Sequence, residues 1–164
     1  MGNEEFFTFG EYMKKEDGSL TASLQDYLEM IYRLSKNAGY TRINDLAAAL
    51  NVQPSSVTKA VQKLFDLKLV NYEKYGIITL NRKGKEIGKQ LLKRHTIIES
   101  FLRLINVEEN KLLEETEKIE HTISSNTVLQ LEMFVDFLIK RNDVLDDFKS
   151  FEQLKRDRAA NNKY

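Results

Sequence analysis

Glu117, Glu120 and His121 stand at i, i+3 and i+4, which at about 100° per residue places all three on one face of a helix. Asp26 and Glu29 repeat the i, i+3 spacing near the start of the chain, and His95 falls on a long helical stretch between them. His95 and His121 are the only two histidines, and both lie in carboxylate-rich surroundings. Carboxylates and imidazoles at such spacing are donors for a divalent cation. The sequence has no cysteine, so the donors are oxygen and nitrogen alone, a set that favours Mn(II), Fe(II), Co(II) or Zn(II) over softer ions. A di-metal carboxylate enzyme of the ferritin-like kind also uses glutamate and histidine at i, i+3. It needs two such motifs on paired helices, and only residues 117–121 resemble one. A charged, solvent-facing helix gives the same pattern, so spacing alone leaves all three readings open. Hydrolytic chemistry lacks support: there is no cysteine nucleophile, and neither GxSxG nor HExxH occurs.

The elements that must position these residues are mostly helices, since 7 glycines and 1 proline in 164 residues leave little turn punctuation. Leu24, Tyr27, Leu28, Ile31, Tyr32 and Leu34 recur at three- and four-residue spacing and predict an amphipathic helix over 22–36, ended by Asn37-Ala38-Gly39. A short helix through Ile43, Leu46, Ala47 and Leu50 follows. Pro54 marks the first turn of another, whose narrow apolar stripe is Val57, Val61 and Leu64, ending near Asp66. Two such helices joined by a short turn read as a helix-turn-helix. The period then changes. Residues 69–74 and 77–80 are short, β-branched and aromatic, and Tyr75-Gly76 separates them, predicting a hairpin and so a winged helix. Helical spacing resumes over 82–105, 108–123, 125–140 and 143–158, with fraying expected beyond.

The chain carries 25 basic and 25 acidic side chains, and this neutrality hides a division. Residues 40–95 hold 11 basic and 4 acidic groups, whereas 1–39 hold 4 and 7, and 96–164 hold 10 and 14. A basic middle suggests an anionic partner for that part alone. Gln53, Ser55, Ser56, Thr58, Lys59, Gln62 and Lys63 start the second helix of the pair on the side away from its apolar stripe. Hydroxyl and amide side chains there reach base edges or phosphates, and lysines supply sequence-independent attraction. Arg42 before the pair, and Lys74 and Tyr75 at the tip of the wing, complete the candidate DNA-binding set. No apolar run approaches the ~20 residues that span a bilayer. The start, MGNEEFFTFG, lacks the pattern of a secretory leader, so a cytoplasmic protein is expected.

Residues 21–141 resemble the diphtheria-toxin-repressor (DtxR) family of metal-dependent transcriptional regulators, and within it the manganese transport regulator (MntR) branch. The resemblance runs through LQDYLEMIY at 24–32, NVQPSSVTKAVQKL at 51–64, YEKYGIITL at 72–80, KGKEIGKQLLKRH at 83–95 and EKIEHTIS at 117–124. It implies that Asp26, Glu29, His95, Glu117, Glu120 and His121 are metal ligands. Iron-responsive members carry methionine where Asp26 stands and cysteine where Glu117 stands, so the resemblance implies Mn(II), two ions per protomer, with Fe(II), Co(II) or Cd(II) able to bind in vitro.

The expected protein is mainly α, with an N-terminal winged helix-turn-helix and a C-terminal helical dimerisation domain, and without the SH3-like domain of the iron-responsive type. Its expected divisions are an extension over 1–20, a DNA-binding domain over 21–81 and a metal-binding and dimerisation domain over 82–164. The expected function is a homodimeric, Mn(II)-dependent repressor of manganese-uptake genes that binds palindromic operator DNA, with no catalysis, no organic substrate and no membrane partner. The extension, with Phe6, Phe7, Phe9 and Tyr12, lies outside the resemblance.

Overall fold

The computed structural model describes residues 20–73 and 76–161, with backbone alone for residues 160 and 161. Lys74, Tyr75 and the extension other than Leu20 lie outside the described residues. The elements run α1 (Ala22–Ala38), β1 (Thr41–Arg42), α2 (Ile43–Leu50), α3 (Pro54–Asp66), β2 (Val70–Tyr72), β3 (Ile77–Leu80), α4 (Arg82–Leu104), α5 (Glu109–Glu120), α6 (Ser125–Lys140) and α7 (Asn142–Asn161). The chain divides into two compact units whose boundary, between Lys93 and Arg94, falls inside α4.

In the first unit, α1 begins where the Thr21 hydroxyl accepts from the Leu24 amide at 3.3 Å. It ends where Gly39, at φ 79°, turns left-handed and donates to the Ser35 carbonyl. Asn51 closes α2 in the same way at φ 53°, and Val52 donates back to Ala47 at 3.0 Å. Pro54 then opens α3, where a missing amide hydrogen costs nothing. One face of each helix is buried: Leu28 and Ile31 of α1, Leu46 of α2, and Val57, Val61 and Leu64 of α3 form one core with Val70 and Ile78 of the sheet.

The hairpin expected over 69–80 is present in shorter form, with Val70 opposite Leu80 and Tyr72 opposite Ile78. A strand not expected from the sequence joins it: Thr41 and Arg42 pair with Ile78 and Ile77, giving the antiparallel order β1-β3-β2. Two residues carry no periodicity, so only the distant partner reveals them as a strand. The start of α4 is set by Asn81, whose side-chain oxygen accepts from the Gly84 amide at 2.8 Å and whose amide group donates to the Lys68 carbonyl. Gly84 lies directly against Leu69, so close that a Cβ there would stand 1.9 Å from the Leu69 carbonyl oxygen.

The second unit has its own core of Ile98, Leu102 and Leu112, bordered by Phe101, Ile105, Val107, Ile119, Ile123 and Leu131. The Ser124 hydroxyl caps α6 by accepting from the Thr127 amide at 3.2 Å. At the start of α7 Arg141 forks onto Asp143 at 2.8 and 2.6 Å, which holds that carboxyl down at about 2. The helix expected over 108–123 is shorter in the structure, ending at Glu120. Its last carbonyls are taken from outside the helix. Arg94 donates to the Glu120 carbonyl at 2.9 Å and the Thr122 hydroxyl donates to Ile119 at 2.9 Å.

Candidate metal centre

The helical end of α5 gathers four of the six candidate ligands within the second unit. His121 caps α5 with φ −85° and ψ −7°, close enough to helical values to keep its ring on the side of Glu117 and Glu120. Ligand atoms of Glu117, Glu120 and His121 lie within 4.8 Å of one another. His95, on α4, reaches the same carboxylates: its Nδ1 is 3.1 Å from Glu120 Oε2 and 3.7 Å from Glu117 Oε1. His121 Nε2 is 3.5 Å from the other Glu120 oxygen. Both histidines of the chain therefore meet at one carboxylate, and that carboxylate is 3% exposed.

Two residues that the spacing did not mark hold this arrangement. Arg94 carries the fork that ends α5, its other nitrogen donating to the Ser125 hydroxyl at 3.2 Å, so the backbone under Glu120 is tied to the start of α6. Glu99 lies 3.9 Å from His95 Nε2, on the ring edge opposite Glu120. Its i+4 position after His95 was the available signal; Arg94 had none beyond adjacency to His95.

The remaining two candidate ligands belong to the first unit. Asp26 and Glu29 stand about one turn apart on α1, Asp26 half-buried and Glu29 buried at 7% exposure. Arg33, one turn on, donates through Nε to Glu29 Oε1 at 2.8 Å and through Nη2 to the same oxygen.

The donor chemistry suits a divalent cation. Burying carboxylates is costly unless a cation or hydrogen-bond donors compensate, and crowding them raises the cost further. Imidazole nitrogens and carboxylate oxygens, in a chain without cysteine, form a hard-to-intermediate donor set.

The described DNA-binding candidates lie in the first unit. Arg42, Gln53, Ser55, Ser56, Thr58, Lys59, Gln62 and Lys63 are exposed. The Thr58 hydroxyl donates to the Pro54 carbonyl at 3.0 Å and the Gln62 amide to Asp66 at 3.0 Å, whereas Val57, Ala60, Val61 and Leu64 face the core. The helix thus presents one polar, basic side, as a recognition helix must.

Two family models match in sequence order. One, described as the iron dependent repressor N-terminal DNA binding domain, covers residues 19–78. The other, the iron dependent repressor metal binding and dimerisation domain, covers residues 81–146. The chain belongs to the iron-dependent repressor family. Membership makes it a DNA-binding, dimerising regulator and sets aside the di-metal enzyme. The HTH-type transcriptional regulator MntR of Bacillus subtilis is 44% identical over 133 residues, 81% of this chain and 94% of that protein. Its namesake from Listeria welshimeri is 42% identical over 135 residues, 82% of this chain and 95% of that protein.

Among solved structures, the manganese regulator SloR matches with a TM-score of 0.62 at 31% identity over 70% of this chain. The crystal structure of T. acidophilum IdeR matches with a TM-score of 0.58 at 27% identity over 69% of this chain. This family member spans about half the length of those two solved chains, 54% and 53%. In keeping with a dimerising unit, α6 leaves Leu129, Met133, Phe134 and Phe137 between 46% and 50% exposed. Among the described residues no helix is long and apolar enough to cross a membrane.

Proposed function

We propose that the protein is a cytoplasmic, homodimeric, Mn(II)-dependent repressor of manganese-uptake genes. The observation that carries this reading is the meeting of both histidines at the buried Glu120 carboxylate in a chain without sulfur ligands from cysteine. The names of its MntR relatives and of the manganese regulator SloR support the choice of metal. Asp26 and Glu29 of the first unit, with His95, Glu117, Glu120 and His121 of the second, are the proposed ligands of two ions per protomer. Fe(II), Co(II) and Cd(II) are the expected competitors in vitro, because manganese is the weakest binder of the divalent series and selectivity must rest on geometry and availability. The proposed working parts are 21–81 for DNA and 82–164 for metal and dimerisation, with 1–20 as an extension.

When bound, the metal supplies positive charge to a set of four carboxylates. The chain's residues do the rest. Neutralising those carboxylates shifts the population toward the DNA-binding form. That bias selects dimers whose two recognition helices match half-sites one helical turn apart, ~34 Å, on a palindromic operator. Moving from 1:99 to 99:1 requires a differential of about 5.5 kcal/mol.

The deciding experiment is DNA binding with and without metal. Duplexes selected from a random pool in Mn(II) should bind the full chain in Mn(II) and lose affinity in chelator. Equal binding in both would leave a metal-independent DNA-binding protein, and selective rescue by Fe(II) would change the metal.

Two further results are expected. Lys59 and Lys63 are proposed to neutralise phosphates, so Lys59→Gln with Lys63→Gln should reduce the slope of log affinity against log salt by about 4 for the dimer, two contacts from each protomer. An unaltered slope would move the interface elsewhere. A ligating imidazole must be neutral, so protons compete with the metal and Mn(II) affinity should fall as pH drops below about 6.5. Calorimetry giving one affinity from pH 5.5 to 7.5 would remove His95 and His121 from the ligand set.

A further inference from the structure

Arg33 has no part in the proposed ligand set, yet its guanidinium touches the carboxylate of one of its members. Glu29 is buried, its side chain 9% exposed, while the Arg33 side chain is 34% exposed and reaches in from the solvent edge of α1. Both Arg33 contacts, from Nε at 2.8 Å and from Nη2, fall on Glu29 Oε1. A guanidinium does not lose its proton at any working pH, so this positive charge is permanent. Charge-assisted hydrogen bonds of this kind are the strong ones, and removing one partner of a buried pair strands the other.

We infer that Arg33 is a built-in competitor for Mn(II) at Glu29, a positioning residue that sets the metal concentration at which the regulator responds. The inference rests on Glu29 being a ligand, as proposed above. With the metal absent, the guanidinium compensates the buried carboxylate and holds it in one place. Ligation through Oε1 would have to share or displace the Arg33 hydrogen bonds, and at either oxygen a divalent cation beside a fixed monovalent one meets electrostatic repulsion. Both effects weaken metal binding and leave the metal-free chain better held than it would be otherwise. The partial exposure of Arg33 gives it somewhere to go, since its long stem can turn the charged head into water.

The two consequences have opposite signs, which a purely structural ion pair does not produce. Full-length Arg33→Met, which keeps an apolar stem and good helix propensity, should bind Mn(II) about 10-fold more tightly by calorimetry. The same variant in chelator should melt below the unsubstituted chain. Arg33→Lys, which keeps the charge, should stay within about 3-fold of the original affinity. Arg33→Gln provides a second neutral variant if the methionine form does not fold.

Unchanged or weaker Mn(II) affinity in a folded neutral variant overturns the inference, as does equal tightening in Arg33→Lys. Glu29→Gln separates the two readings. If it weakens Mn(II) binding about 100-fold while neutral Arg33 variants bind as before, only the competitor role fails. If Glu29→Gln keeps full affinity, Glu29 is not a ligand and both fall.

Discussion

Replacing Glu120 by glutamine is expected to abolish metal-stimulated operator binding and to weaken Mn(II) affinity at least ~100-fold. The size of the effect follows from where Glu120 stands. Its two oxygens face different histidines, Oε2 at 3.1 Å from His95 and Oε1 at 3.5 Å from His121, so one neutral amide in its place disturbs both. The backbone beneath it is held by Arg94, so the side chain cannot be replaced by a shift of the helix end. Glutamine preserves volume and removes one buried negative charge, so the metal-free chain should keep its fold and melt no lower than the unsubstituted protein. Calorimetry with Mn(II) and gel-shift titration check the two halves. Full Mn(II) stimulation in the glutamine variant would refute the site.

The second large effect concerns the close packing of the long helix α4 on the entry to β2. Gly84→Ala puts a methyl carbon where 1.9 Å separates it from the Leu69 carbonyl oxygen and 2.8 Å from the carbonyl carbon. Those atoms are backbone and cannot rotate away, so α4 must move from the entry to β2. Overpacking of this kind costs about 3 kcal/mol, at the upper end for a single added carbon. For a unit of about 60 to 100 residues that lowers the melting temperature by roughly 12 to 24 °C. Gly88→Ala is a milder case, because its added carbon meets the Tyr32 side chain at 2.7 and 3.1 Å, and a side chain has more room to yield than a peptide unit. Thermal unfolding in chelator, so that metal does not mask the loss, is the check. A Gly84→Ala protein melting within about 2 °C of the original would show that the contact relaxes freely.

Local signals in the chain were strong enough to place most helices. Pro54 and Asp66 bound α3 as expected, and Ser125 and Lys140 bound α6 as expected, because Pro at a first turn and a capping serine act within a few residues. Where the structure departs, a partner distant in sequence decides. β1 exists because Thr41 and Arg42 meet Ile78 and Ile77, and α5 stops at Glu120 because Arg94 takes its carbonyl. Neither is visible in a window of ten or twenty residues.

The candidate site divides in the same way. Residue types and helical spacing by themselves determined that Glu117, Glu120 and His121 share a face, that Asp26 and Glu29 share another, and that no cysteine thiolate would meet a metal. They left solvent-exposed charge, enzyme and regulator open, since a helical period says which residues point together and nothing about what they point at. Tertiary structure decided that His95, on a different helix, reaches Glu120, and that Glu120 and Glu29 are buried. Burial and cross-helix distance depend on how helices pack, and packing is set by the whole core rather than by any one segment.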